Sequence, residues 1–75
     1  MTAPEALARR LSELDARIAF GEFHLRERRA ASRAPGANLI EVGLACRESR
    51  SIEEALAILR QRRAGLVQDL SLQAG

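Results

Sequence analysis

The stretch Ser32-Arg33-Ala34-Pro35-Gly36-Ala37-Asn38 decides the architecture of this chain. Pro35 has no amide proton and drives Ala34 out of the helical region, and Gly36 accepts the positive φ that closes helices and tightens turns. Asn38 is a natural N-cap for a second helix, and Glu41, three residues on, completes a capping-box pattern. A helix reaching this stretch stops, and a new one starts after it. At the other end, Thr2 and Glu5 have the same capping-box spacing, and Pro4 falls in a first turn, where a missing N–H is tolerated. The pattern predicts helix A over about residues 3–33, a turn at 34–38 and helix B over about residues 39–72. At 1.5 Å per residue each is on the order of 45–50 Å long. Two helices of similar length joined by so short a turn fold back on each other. The expected fold is all-α, a single antiparallel helical hairpin over residues 1–75.

Composition agrees. Apolar residues make up 47% of the chain, mostly Ala and Leu, and with Arg and Glu these strong helix formers dominate the sequence. A chain of 75 residues buries too little apolar surface to be comfortable alone, so it needs disulfides, a metal or association. Cys46 is the single cysteine, which rules out a disulfide within one chain. His24 and Cys46 are the only soft metal ligands and lie far apart, so no metal and no cofactor is expected. Association remains.

Helix A carries a seam at Leu7, Leu11, Leu14, Ile18 and Leu25 with alternating steps of four and three, the spacing of helix-on-helix packing. Gly21 occupies the seam between Ile18 and Leu25, where it allows close approach. In helix B, Ile52, Leu56, Leu59, Leu66 and Leu70, with Ala55 and Val67, form one wide stripe, and Leu39, Val42, Gly43 and Cys46 form another, rotated by roughly 120°. Between the stripes lies Arg47-Glu48-Ser49-Arg50-Ser51, and Ser51 with Glu54 has capping-box spacing again. Segment B is therefore either one helix showing different faces to two neighbours or two helices restarting near Ser49–Ser51. The expected hairpin core is Leu7, Leu11, Leu14, Ile18, Leu25, Ile52, Leu56, Leu59, Leu66 and Leu70.

Ala16, Phe20, Phe23 and Ala30 project about 140–220° away from the seam of helix A at 100° per residue. A two-helix hairpin buries one face of each helix, so both aromatics of the chain fall on the outward side. Either a bend or a third element covers them or a partner does, and exposed aromatics clustered on one face mark interfaces. Phe20 and Phe23, with Ile40 and Leu44 at the start of helix B, are the expected partner contacts.

No catalytic constellation emerges, and the chain reads as a non-enzyme. His24, the only histidine, stands amid Glu22, Glu27 and Arg28 as a solvated helix residue, without a nucleophile beside it. Glu53 and Glu54 point about 100° apart and suit a helix first turn better than paired acid–base work. Phosphate-loop glycine patterns are absent. Cys46 on an apolar stripe reads as an inert buried thiol. Twelve Arg against ten acids leave a net charge of +2, with Arg26, Arg28, Arg29 and Arg33 crowding the end of helix A and Arg60, Arg62 and Arg63 crowding helix B. The first group complements the helix dipole. Interleaved acids and the lack of a reader motif place an Arg-rich nucleic-acid binder behind a protein-binding role. No apolar run approaches the roughly 20 residues that span a bilayer. Met1-Thr2-Ala3-Pro4-Glu5 lacks the basic start and apolar run of a signal peptide, and a lone thiol suits a reducing compartment, so a cytosolic protein is expected.

The run Arg47-Glu48-Ser49-Arg50-Ser51-Ile52-Glu53-Glu54-Ala55-Leu56-Ala57-Ile58-Leu59 resembles the second-helix core of the YscE-like type III secretion co-chaperones. The distance from the Gly36 turn to this run, the length of the chain and its Met1-Thr2 opening are similar too. The resemblance covers roughly half of the chain; the family carries an aromatic at the start of the second helix, where this chain has Leu39 and Ile40. It implies a small cytosolic hairpin that pairs with a larger chaperone of tetratricopeptide-like helical repeats and, with it, keeps the needle subunit soluble and monomeric before export. A second resemblance runs from Arg10 to Glu22, Arg10-Leu11-Ser12-Glu13-Leu14-Asp15-Ala16-Arg17-Ile18-Ala19-Phe20-Gly21-Glu22, which looks like the opening of SlyX-type coiled-coil proteins. It implies a self-associating coiled coil, but it ends near Phe23, and the Pro35-Gly36 break does not fit a continuous coiled coil. It ranks second.

Overall fold

The computed structural model describes residues 3–74 and contains two helices, α1 (Pro4–Ser32) and α2 (Leu39–Ala74), packed antiparallel as a hairpin. The turn forms as its residues dictate. At the end of α1 the Arg33 amide donates to the Ala30 carbonyl at 3.1 Å and the Ala34 amide to the Ala31 carbonyl at 3.4 Å. The Ala37 amide then donates to the Ala34 carbonyl at 3.2 Å. Pro35 and Gly36 lie between, and Gly36 takes φ 81°, the arrangement of a type II turn. Both halves of the capping box are made: the Glu41 amide donates to Asn38 Oδ1 at 2.8 Å, and the Asn38 amide donates to Glu41 Oε2 at 3.3 Å. At the start of α1 the N-cap is Ala3, without a side-chain cap, and the Leu7 amide closes the first turn on the Ala3 carbonyl at 3.0 Å. Thr2, expected to pair with Glu5 in a capping box, lies outside the described residues.

Segment B is one helix, with no restart at Ser49–Ser51. It also has one seam rather than two stripes. Val42, Ala45, Ser49, Ile52, Leu56, Leu59, Arg63, Leu66 and Leu70 alternate by three and four, and all but Arg63 are buried or half-buried. Ala45, only 6% exposed, carries the seam toward the turn. The expected second stripe dissolves. Val42 belongs to the seam at half burial, while Leu39, Gly43 and Cys46 are exposed.

The expected core residues all lie along the contact. Leu7, Leu14, Ile18, Leu25 and Leu56 are buried, and Leu11, Ile52, Leu59, Leu66 and Leu70 are half-buried. The densest point is Leu56, 1% exposed, grouped with Ile18 and Leu25 and flanked by Ile52 and Leu59. It sits over Gly21. A Cβ on that glycine would stand 2.7 Å from Leu56 Cδ2 and 3.3 Å from Cγ, so the absent side chain is the hole that the leucine fills.

One seam cannot make a round molecule. The hairpin measures 55 × 15 × 15 Å, and its radius of gyration is 16.9 Å, against about 11 Å for a compact domain of this length. Leu56→Ala empties the centre of the contact and is expected to lower the unfolding free energy by about 2–5 kcal/mol. Leu72→Ala, at a position 73% exposed, is expected to change it by less than about 0.5 kcal/mol. Urea unfolding followed by circular dichroism measures both.

Candidate functional site

The two flanks of the seam differ in kind. Positions seven apart fall on one line along a helix that follows the seam. On α1, Asp15, Glu22 and Arg29 make such a line, and each meets an opposite charge on α2. Arg63 Nε donates to Asp15, Arg60 stands 3.9 Å from Glu22, and Arg29 donates to Glu53. The signs run minus, minus, plus along one helix and plus, plus, minus along the other, which reinforces a single antiparallel register. Each pair is about half exposed and contributes on the order of 0.2–1 kcal/mol. This flank is closed by charge.

The opposite flank is open. Its α1 line is Arg10, Arg17, His24 and Ala31, and its α2 line is Glu41, Glu48, Ala55, Arg62 and Asp69. Every one of these residues borders a groove between the helices. The groove has three reaches. Toward the helix ends far from the turn, a reach of about 470 Å³ is bordered by Arg10, Glu13, Arg17, Arg62 and Asp69. Toward the turn, one of about 460 Å³ lies among Arg28, Ala31, Leu44, Ala45 and Glu48, with Arg28 Nε paired to Glu48 at 2.9 Å. The middle reach, about 230 Å³, is bordered by Phe20, Gly21, Ile52, Ala55, Leu56 and Leu59, with His24 as its one polar side chain.

His24 is not the solvated residue expected from its charged neighbours. It is half-buried, edge-on to Phe20 at 4.4 Å between ring centroids and to Phe23 at 6.0 Å. Phe20 and Phe23 are thus brought together around His24, at 66% and 49% exposure. They do not share a face as fully as expected. Phe20 borders the groove beside the seam, whereas Phe23 borders none of the grooves described. Ile40 and Leu44 are exposed too and line a concavity of about 260 Å³ near the turn with Leu39, Gly43 and Arg47, and Leu44 also borders the turn-side reach of the groove. None of these grooves holds both pairs of expected contacts.

The Arg clusters do more than answer the helix dipole. Arg28, Arg29, Arg60 and Arg63 are committed to acids of the other helix. Among the described residues no cluster of His, Cys, Asp and Glu is suited to a metal ion, and no helix is long and apolar enough to cross a membrane. Comparison with family models, with curated proteins and with solved structures finds no match.

Cys46 corrects an expectation. It is exposed, because the seam passes through its neighbour Ala45. In the folded protein it is expected to react with a maleimide at nearly the rate found in denaturant; protection beyond ~10-fold would return it to a buried stripe.

Proposed function

We propose that this hairpin is a non-catalytic adaptor that works by holding another protein chain, in the manner of a type III secretion co-chaperone. The observation that carries this reading is surplus surface. The chain exposes 5804 Å², where a compact monomer of its mass exposes about 4,500 Å². Phe20, Phe23, Leu39, Ile40, Leu44 and Ile58 are all at least 49% exposed. An elongated hairpin with one seam leaves much of its length as landing area, and apolar side chains at this density on a small surface mark contact with protein.

The resemblance of the Arg47–Leu59 run to the YscE-like family gives the partner its character: a larger chaperone of helical repeats, and through it a secretion needle subunit. A concave helical-repeat surface suits a rod about 15 Å across. Phe20, Phe23, Ile40 and Leu44 remain the proposed contacts, now as two patches separated along the rod. Burying the two Phe side chains supplies roughly 3–6 kcal/mol of gross transfer energy, before the costs of association.

The test is co-purification with a helical-repeat chaperone and needle subunit encoded beside this chain's gene. The wild-type chain is expected to enter a stable complex. Phe20→Ala with Phe23→Ala is expected to abolish that complex while leaving far-ultraviolet helicity intact, since neither ring is part of the seam. Full binding by the double variant would move the interface elsewhere.

A further inference from the structure

The open flank carries charges with no ion-pair partner among the described residues. Arg10, Arg17, Arg62 and Glu27 are exposed and make no salt bridge there, while the charges of the closed flank are paired. Glu27 belongs to this flank because Glu13, Phe20 and Glu27 are spaced by seven along α1. The flank thus differs in net charge across its apolar centre: on one side Arg10, Arg17 and Arg62 outnumber Glu13 and Asp69, and on the other Glu27, Glu41 and Glu48 outnumber Arg28, which pairs with Glu48. A surface whose two halves have opposite sign is complementary to itself when turned end for end.

We propose that the open flank is an interface between two copies of this chain, related by a twofold axis that crosses the hairpin at Glu22 and Ala55. Gly21 stands opposite Leu56, so Glu22 and Ala55 are at one level of the rod. A twofold axis there, lying in the interface and perpendicular to the helices, sets α1 against α1 and α2 against α2, each pair antiparallel. The register then matches residue by residue. Arg17, five residues before Glu22, meets the second copy's Glu27, five after it. Arg62, seven beyond Ala55, meets the second copy's Glu48, seven before it, whose carboxylate is then shared with the Arg28 of its own chain. Phe20 meets the second copy's His24, which doubles the aromatic edge contact already present in each chain. Ile58 meets the second copy's Ile52, and Ala55 at the axis lets the two α2 helices approach. One match is of like sign, Glu41 against Asp69, and it falls at the outer ends, where both are exposed and Arg10 shares the groove with Asp69.

The area is adequate. A face of 55 × 15 Å amounts to roughly 800 Å² on each copy, the standard size of a specific interface. The product is a four-helix bundle, closed by a twofold as most homo-oligomers are. This goes beyond the heteromeric reading. Phe20 and Leu44 are common to both surfaces, while Phe23 and Ile40 lie off the open flank, so the dimer is the form in which the chain waits and a partner competes for Phe20 and Leu44.

The test uses size exclusion with light scattering on the full chain, with circular dichroism on the same fractions. The wild type is expected to be a highly helical dimer. Arg17→Glu and Glu27→Arg each place like charges together twice, and each is expected to raise the dimer dissociation constant about 10- to 100-fold at low salt. Neither position has an ion-pair partner among the described residues, so helicity is expected to hold. Mixing the Arg17→Glu variant with the Glu27→Arg variant sets opposite charges against each other again at both contacts between the copies. It is expected to restore dimers, as is combining both changes in one chain. A monomeric wild type, a dimer indifferent to both reversals, or single variants that mixing does not rescue would each overturn the proposal. The experiment involves no foreign partner, so its failure would leave the heteromeric reading standing.

Discussion

Leu56 has a place at the centre of this hairpin only because Gly21 has no side chain. The leucine is 1% exposed, and an added Cβ on residue 21 would stand 2.7 Å from one of its methyl carbons. A glycine in the middle of a helix costs on the order of 1 kcal/mol relative to alanine, and here that cost is offset by the depth to which a facing side chain sinks. The approach brings Ile18 and Leu25 onto Leu56 and draws Ile52 and Leu59 in behind it. It also sets the register. With Gly21 opposite Leu56, the side chain of Arg60 comes within reach of Glu22 and that of Arg29 within reach of Glu53 on one flank. Half-exposed ion pairs are too weak to hold two helices together, but they penalise a slipped register in which the same charges would meet their own kind.

Everything outside the seam follows from there being only one. A third helix would round off the rod and cover the open flank; without it the middle of the groove, between Phe20 and Ala55, stays apolar and accessible. The asymmetry between flanks is therefore chemical as well as geometric. One side is sewn up by opposite charges, and the other presents an apolar centre with a net positive charge toward one end and a net negative charge toward the other. A chain of this size gains stability by letting another chain finish its core, and the same vacancy suits it to holding other proteins.

The turn is legible in the sequence because its residues act locally. Pro35, Gly36 and the Asn38–Glu41 capping box each do in the structure what their chemistry dictates in isolation. The seam of α1 is legible because its positions are occupied by Leu and Ile, with Gly21 as the one gap. In the first third of α2 the same logic fails. There the seam runs through Ala45 and Ser49, while the larger apolar residues Leu39, Ile40 and Leu44 are 89%, 75% and 50% exposed. Weighting by hydrophobic size finds the wrong line where close packing near a tight turn selects small side chains, and the misplacement of Cys46 follows directly from that. The cross-helix ion pairs join residues as far as 48 apart in sequence, so they become visible only once the register is known. The groove escapes the sequence for a related reason: its walls are ordinary flank positions, and only their seven-residue repetition on both helices, combined with the register, shows that they face the same side.

The most direct test of this packing is a double-mutant cycle between Gly21→Ala and Leu56→Ala, measured by urea unfolding. In the wild-type background the added methyl competes for the volume that Leu56 fills. Overpacking of about 1–3 kcal/mol then opposes the roughly 1 kcal/mol of helix propensity that alanine brings. With Leu56 truncated the obstruction is gone, and Gly21→Ala is expected to stabilise the hairpin by about 1 kcal/mol. A coupling energy of about 1–3 kcal/mol between the two sites is the predicted result. An equal effect of Gly21→Ala in both backgrounds would contradict it, because the glycine would then not be the hole into which Leu56 packs.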